Sequence, residues 1–141
     1  MDPMQNADIS PMQMLERMFH AELRFMTSKP KDIAILAEAF HPDVVIHEPR
    51  SVPYPGDWKG LNGVAALMKR MNDVFSNMSI EGLECSGSSE RLHVACKLTV
   101  TSRKTGISIT QPFAEMLKFE EGLLMEGTPF YFDTAEIQSI L

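Results

Sequence analysis

FHPDVVIHEPRSVPYPGDWKG, residues Phe40 to Gly60, decides how the rest of the chain is read. Val44, Val45 and Ile46 are β-branched and predict a strand, which ends abruptly at His47, Glu48 and Pro49. The loop that follows holds Pro53, Tyr54, Pro55 and the only tryptophan, Trp58, with a glycine at each end of GDWKG. A strand that stops at a carboxylate beside a proline-stiffened aromatic loop has the makings of a pocket lip. It would carry a polar group on a rigid element beside apolar walls.

Upstream, Ser10-Pro11-Met12-Gln13 predicts a helix start, with Ser as N-cap, Pro in the first helical position and Gln completing a capping box. Met12, Leu15, Met18, Phe19, Leu23 and Met26 recur at helical spacing, and the helix should end before Ser28-Lys29-Pro30. A shorter helix from about Pro30 to Ala39 would bury Ile33, Leu36, Ala37 and Phe40, with His41-Pro42-Asp43 breaking it. Downstream, Gly60-Leu61-Asn62-Gly63 opens a third helix that keeps Leu61, Val64, Ala65, Met68, Met71 and Phe75 on one face to about Ser76. The texture then changes to strand-like runs at Ile80–Cys85, Leu92–Thr101, Ile107–Phe119 and Leu123–Phe132. SGSSE, SRKTG and EEG separate them, and Glu121-Gly122 reads as a tight hairpin turn. Asp133 should cap a final short helix, with Glu136 at its third position. Residues 1–9 show no periodic pattern and are expected to be disordered; residues 10–141 form one domain.

This order of elements predicts an α+β domain, with helices on one face of a curved antiparallel sheet. Strands with apolar residues on both faces need a second cover. Phe113, Leu117 and Phe119 share one parity, Ala114 and Met116 the other. A homodimer through the outer sheet face is therefore expected.

Composition narrows the function. The chain of 141 residues is 44% hydrophobic and 23% charged, with 19 acidic against 13 basic residues and a net charge of −6. No Lys/Arg cluster appears, which disfavours nucleic-acid binding. No apolar run approaches the roughly 18 residues of a membrane span, and the polar opening lacks a signal-peptide core. The expectation is a soluble, cytoplasmic protein with no nucleic-acid or membrane partner. Cys85 and Cys96 sit on one predicted hairpin turning near Ser88, where Cys85 would oppose roughly Arg91 and Cys96 roughly Ile80. They should stay reduced. With no CxxC and no histidine pair at ligand spacing, no metal site is expected. No nucleophile elbow, phosphate loop or nucleotide fingerprint appears, so any chemistry should need no cofactor. Eleven methionines read either as adaptable core filling or as the wall of a pocket for a greasy ligand.

The FHPDVVIHEP strand, the SVPYPGDWKGLNGV loop and helix start, the PFAEMLKFEEG hairpin and the closing TPFYFDTAEI together resemble the nuclear transport factor 2-like superfamily. The similarity is to its SnoaL-like and ketosteroid isomerase-like branch and runs from about Met12 to the end. It implies a cone-shaped (cystatin-like) roll, a curved antiparallel sheet wrapped by the three N-terminal helices, with a pocket at the wide end. Members include isomerases, polyketide cyclases, epoxide hydrolases, dehydratases and plain binding modules, so fold alone does not assign activity. In ketosteroid isomerases the proton-carrying carboxylate ends the first strand before a proline, and Glu48 before Pro49 matches it. Their second acid, held protonated toward an enolate oxygen, aligns with Glu115. Their catalytic tyrosine lies in the first helix, which here has none; Phe19, Arg24 and Phe25 occupy that neighbourhood. The chain therefore departs from a steroid isomerase of that type.

The candidate catalytic residues are Glu48, Glu115 and His47. Glu48 shares the face of Val44 and Ile46; it is either a desolvated base or a strand-end acid paired with Arg50 or Lys59. Glu115, between Phe113 and Leu117, is either functional or paired with Lys97 or Arg70. His47 has the opposite parity and reads as a satisfied or interface histidine, with acid–base duty as the alternative. Tyr54 and Trp58 would shape the pocket mouth or pin the loop. Met68, Met71, Phe75, Phe113 and Tyr131 complete the candidate ligand contacts. The leading expectation is a pocket for a small hydrophobic molecule bearing a carbonyl or ring, worked on by carboxylates in an isomerase, cyclase or hydratase. The alternative is a non-catalytic ligand-binding or dimeric assembly module.

Overall fold

The computed structural model describes residues 9–141. The expectation for the N-terminal segment therefore falls outside the described residues up to position 8, and Ile9 packs half-buried against the core. Helix α1 (Pro11–Thr27) starts at the capping box: the Ser10 hydroxyl accepts from the Gln13 amide, and Gln13 Oε1 accepts from the Ser10 amide. It buries Met14, Leu15, Met18, Ala21 and Phe25. The second helix is shorter and tighter than expected, a single 3₁₀ segment (Ile33–Glu38) capped by Asp32.

Strand β1 (Phe40–Glu48) takes in His41-Pro42-Asp43 instead of starting after it. Its pairing slips between Phe40 and Val45, and this bulge absorbs a proline that has no amide for a regular ladder. The loop expected after Glu48 contains a short strand, β2 (Gly56–Lys59), which folds back on β1 with Glu48 opposite Gly56 and His47 opposite Asp57. Helix α2 (Gly60–Val74) then gives way at once to β3 (Phe75–Gly87), two residues sooner than the periodicity indicates. Phe75 is extended and buried there.

Strands β4 (Arg91–Ser102), β5 (Ser108–Glu120) and β6 (Leu123–Tyr131) complete one six-stranded sheet of order β2-β1-β6-β5-β4-β3. It is a curved, unclosed sheet carrying helices, the α+β architecture expected, with one departure from antiparallel pairing: β1 runs parallel to β6. Register slips in β3 and between Lys118 and Phe119 interrupt the ladders of the long strands, and such slips bend and twist a sheet. The β5–β6 turn places Glu121 at φ 53° and Gly122 at φ 81°, the paired positive angles of a two-residue hairpin. Asp133 caps the last helix, α3 (Thr134–Ser139), through the amides of Ala135 and Glu136.

The β3–β4 register differs from the expectation. The turn centres later than Ser88, so Cys85 lies opposite Val94, and Ile80 opposite Leu98. Both cysteines are free thiols. The core fills the space between the inner sheet face and helices α1 and α2, with Leu15, Leu36, Val44, Leu92 and Ile137 fully buried. Among the described residues no helix is long and apolar enough to cross a membrane.

Candidate functional site

The inner faces of β1, β4, β5 and β6, with α1, α2 and one segment of β3, surround a partly open cavity of about 290 Å³. Alternation along β1 turns Val44, Ile46 and Glu48 inward, and Glu48 is only 7% exposed. Its neighbour His47 points to the other face. Glu48 Oε1 accepts a hydrogen bond of 3.0 Å from the Tyr131 hydroxyl, on β6. Tyr131 has one proton to give, so at its 3.0 Å contact with Tyr54 the Tyr54 hydroxyl donates. The result is a directed row, Tyr54 to Tyr131 to Glu48. Burial pushes Glu48 up to about 8; the Tyr131 bond pulls the other way and the nearby Glu115 charge adds to the rise. Burial likewise raises both tyrosines.

Glu115 reaches the same cavity from β5, two strands away from β1 in the sheet. It lies over Gly127, where an added Cβ would come within 3.2 Å of Glu115 Oε2 and 3.0 Å of Ile46 Cδ1. A bare glycine on β6 thus makes the room this carboxyl occupies. Burial pushes Glu115 up to about 7. Neither Lys97 nor Arg70 pairs with it: Arg70 bonds the Pro53 carbonyl instead.

A third carboxyl, Glu22 of α1, joins them. Burial, then the Glu115 charge, push it up to about 8. The sequence held a signal for it: Leu15, Met18, Glu22 and Phe25 form one helical stripe, and an acid in an apolar stripe is out of place unless something uses it. Glu22 and Glu115 are packed about by protein, but their oxygens open onto the cavity, so no buried side-chain atom among the described residues is left unsatisfied. Glu115 is coupled to both others. The Glu115 charge raises both others, so their titrations are linked to its own.

Of the other residues singled out in the sequence, Met68, Met71, Phe113 and Tyr131 line the cavity. Phe113 meets Tyr131 edge to face at 5.2 Å. Tyr54, 1% exposed, stands behind Tyr131 and outside the lining, with Phe75 edge-on to it at 6.3 Å. Trp58 is also outside the lining; its indole donates to the Tyr54 carbonyl and pins the loop. His47 is remote from the acids. Its Nδ1 lies 2.7 Å from Asp57 on β2 and its Nε2 3.0 Å from Glu126 on β6. These bonds, Glu126 first, raise its pKa, and they tie three strands together on the outer face. Asp57 is thus a histidine partner. Among the described residues, no group of three His, Cys, Asp or Glu side chains is arranged to hold a metal ion.

The SnoaL-like domain family matches residues 15–127. Among solved structures, an NTF2-like protein of unknown function from Burkholderia pseudomallei superposes with a TM-score of 0.72 at 23% identity, over 90% of this chain and 95% of that one. An NTF2-like protein from Burkholderia xenovorans gives 0.76 at 18%, over 92% and 93%. TerC, co-crystallised with polyporic acid, gives 0.72 at 20%, over 90% and 96%. At these identities the likeness is one of fold. Among curated protein sequences, none matches this chain.

Proposed function

We propose that this chain, which belongs to the SnoaL-like domain family, binds a small hydrophobic molecule in the cavity and moves a proton on it without a cofactor. The observation that carries the reading is the meeting of Glu48, Glu115 and Glu22, from three separate elements, in one apolar space. Buried acids brought to about 7 or 8 suit proton exchange near neutral pH, where a general acid or base works best. Ordinary carboxylates would be fully ionised there. That TerC was co-crystallised with polyporic acid supports small-molecule binding within this fold.

In this reading Glu48 is the proton carrier, because it alone of the three receives a hydrogen bond, from Tyr131, that steadies its ionised form. With a carbonyl substrate, Glu48 takes a proton from the carbon beside the carbonyl. A second carboxyl that still holds its proton, Glu115 or Glu22, donates to the oxygen on which charge collects, and Glu48 returns its proton at another carbon. Isomerisation uses that pair of moves. In ring closure the enolate carbon instead bonds a second carbonyl carbon, whose oxygen takes the proton; in hydration Glu48 takes its proton from the attacking water. A second copy is proposed to cover the outer sheet face, where Met116 and Phe130 remain 47% and 50% exposed.

The test is deuterium exchange: cyclic ketones and enones are incubated with the protein in heavy water and followed by NMR. Exchange beside the carbonyl, reduced at least about 100-fold in Glu48→Gln, supports the reading. Ligand binding with no exchange in the native protein would instead make it a binding module.

A further inference from the structure

The cavity is built for more than an uncharged guest. Its titratable lining consists of Glu22 from α1, Glu48 from β1, Glu115 from β5 and Tyr131 from β6. The α2 and β3 walls contribute none, and Cys96 on β4 lies close enough to Glu115 to feel its charge. Among the described residues no Lys, Arg or His lines the space. Among the described residues Glu22 and Glu115 take no hydrogen bond or ion pair, and Glu48, only 7% exposed, commits only Oε1, to Tyr131. Three carboxyls thus present oxygens to an apolar volume into which no cationic side chain of the described residues reaches.

A carboxyl so placed either keeps its proton or finds a positive charge. We propose that the cavity recognises a lipophilic organic cation: a protonated amine whose ammonium sits among Glu22, Glu48 and Glu115 while its hydrocarbon body fills the methionine-walled remainder. A metal ion is the poorer fit, because it needs several oxygens converging at about 2–2.6 Å and no three acidic or metal-binding side chains are so arranged among the described residues. An alkylammonium is larger and is satisfied by one or two carboxylate contacts. The rings of Phe19, Phe113 and Tyr131 in the same wall add faces that attract a cation. The proposal rests on the cavity being the ligand site, as above, and specifies what enters it.

Binding of the cation favours an ionised partner, so a carboxyl that held a proton releases it. Amine affinity therefore rises with pH until the acids ionise unaided, near 7 to 8. Isothermal titration of the full chain with 4-phenylbutylamine and with the neutral 4-phenylbutan-1-ol, in buffers of different ionisation enthalpy, reads this directly. At pH 7.5 the amine should bind at least about tenfold more tightly than the alcohol. Its affinity should climb by up to about tenfold from pH 6 to 7, with up to one proton released. Glu22→Gln should narrow the preference. An alcohol that binds as tightly as the amine, or an amine affinity flat with pH, overturns the cation proposal and leaves the ligand pocket standing. Failure of both probes to bind overturns the pocket reading as well.

Discussion

Replacing Glu48 by glutamine removes a titration while keeping an oxygen that can accept the Tyr131 hydrogen bond. In the native fold Glu48 holds its proton to about 8, against an ordinary value of 4.5. Between those values the folded chain binds a proton that the unfolded chain has given up, so unfolding releases it. The contribution is fully favourable below pH 4.5 and is lost as pH rises toward 8. The loss runs at about 1.4 kcal/mol per pH unit, on the order of 2–3 kcal/mol between pH 5.5 and 7.5 for this group. Glu22 and Glu115 act in the same direction and remain in the variant. Urea unfolding at the two pH values measures the difference by linear extrapolation. The native protein should lose more stability than Glu48→Gln over that interval, by on the order of 2–3 kcal/mol, and the variant should be the more stable of the two at pH 7.5. Equal pH slopes would refute the claim that Glu48 is buried and protonated, and with it the acid–base role.

Tyr131→Phe removes the donor that pulls Glu48 down, so NMR of labelled carboxyl carbons should find the Glu48 titration above its native position; stability should fall by about 1–2 kcal/mol, since the buried Tyr54 hydroxyl loses its partner. Gly127→Ala crowds Ile46 and Glu115 and should cost about 1–3 kcal/mol in urea unfolding; a neutral change with an unmoved Glu115 titration contradicts the role given to that glycine. His47→Gln should flatten the alkaline side of the stability profile. The raised histidine pKa supplies stability that is complete below 6.5 and lost as pH rises through the folded value, and urea midpoints across that range will register it. Light scattering after size-exclusion chromatography should find a dimer that Phe130→Glu dissociates; a native particle of 15.8 kDa would reject the outer-face interface.

The contrast between Glu48 and Glu22 shows where the sequence stops being informative. Glu48 was legible because a strand alternates with period two: its place beside Val44 and Ile46, and the opposite place of His47, follow from counting. Gln13, Asp133 and Gly122 were legible for the same local reason, since caps and tight turns are made by residues a few positions apart. Strand starts at Phe40 and Phe75 were not, because a bulge and a register slip are settled by the neighbouring strand. The tertiary structure alone decided that β1 lies beside β6, and that single pairing brings Glu48, Tyr131 and the space over Gly127 together. It also moved Tyr54 from the pocket lip to a position behind Tyr131, and brought Glu22 in from a helix where one acid in an apolar stripe could have been read as an ordinary exception. Periodicity states which face a side chain takes; only the closing of the sheet around the helices determines what that face meets, because burial and charge coupling act through space between residues far apart in the chain.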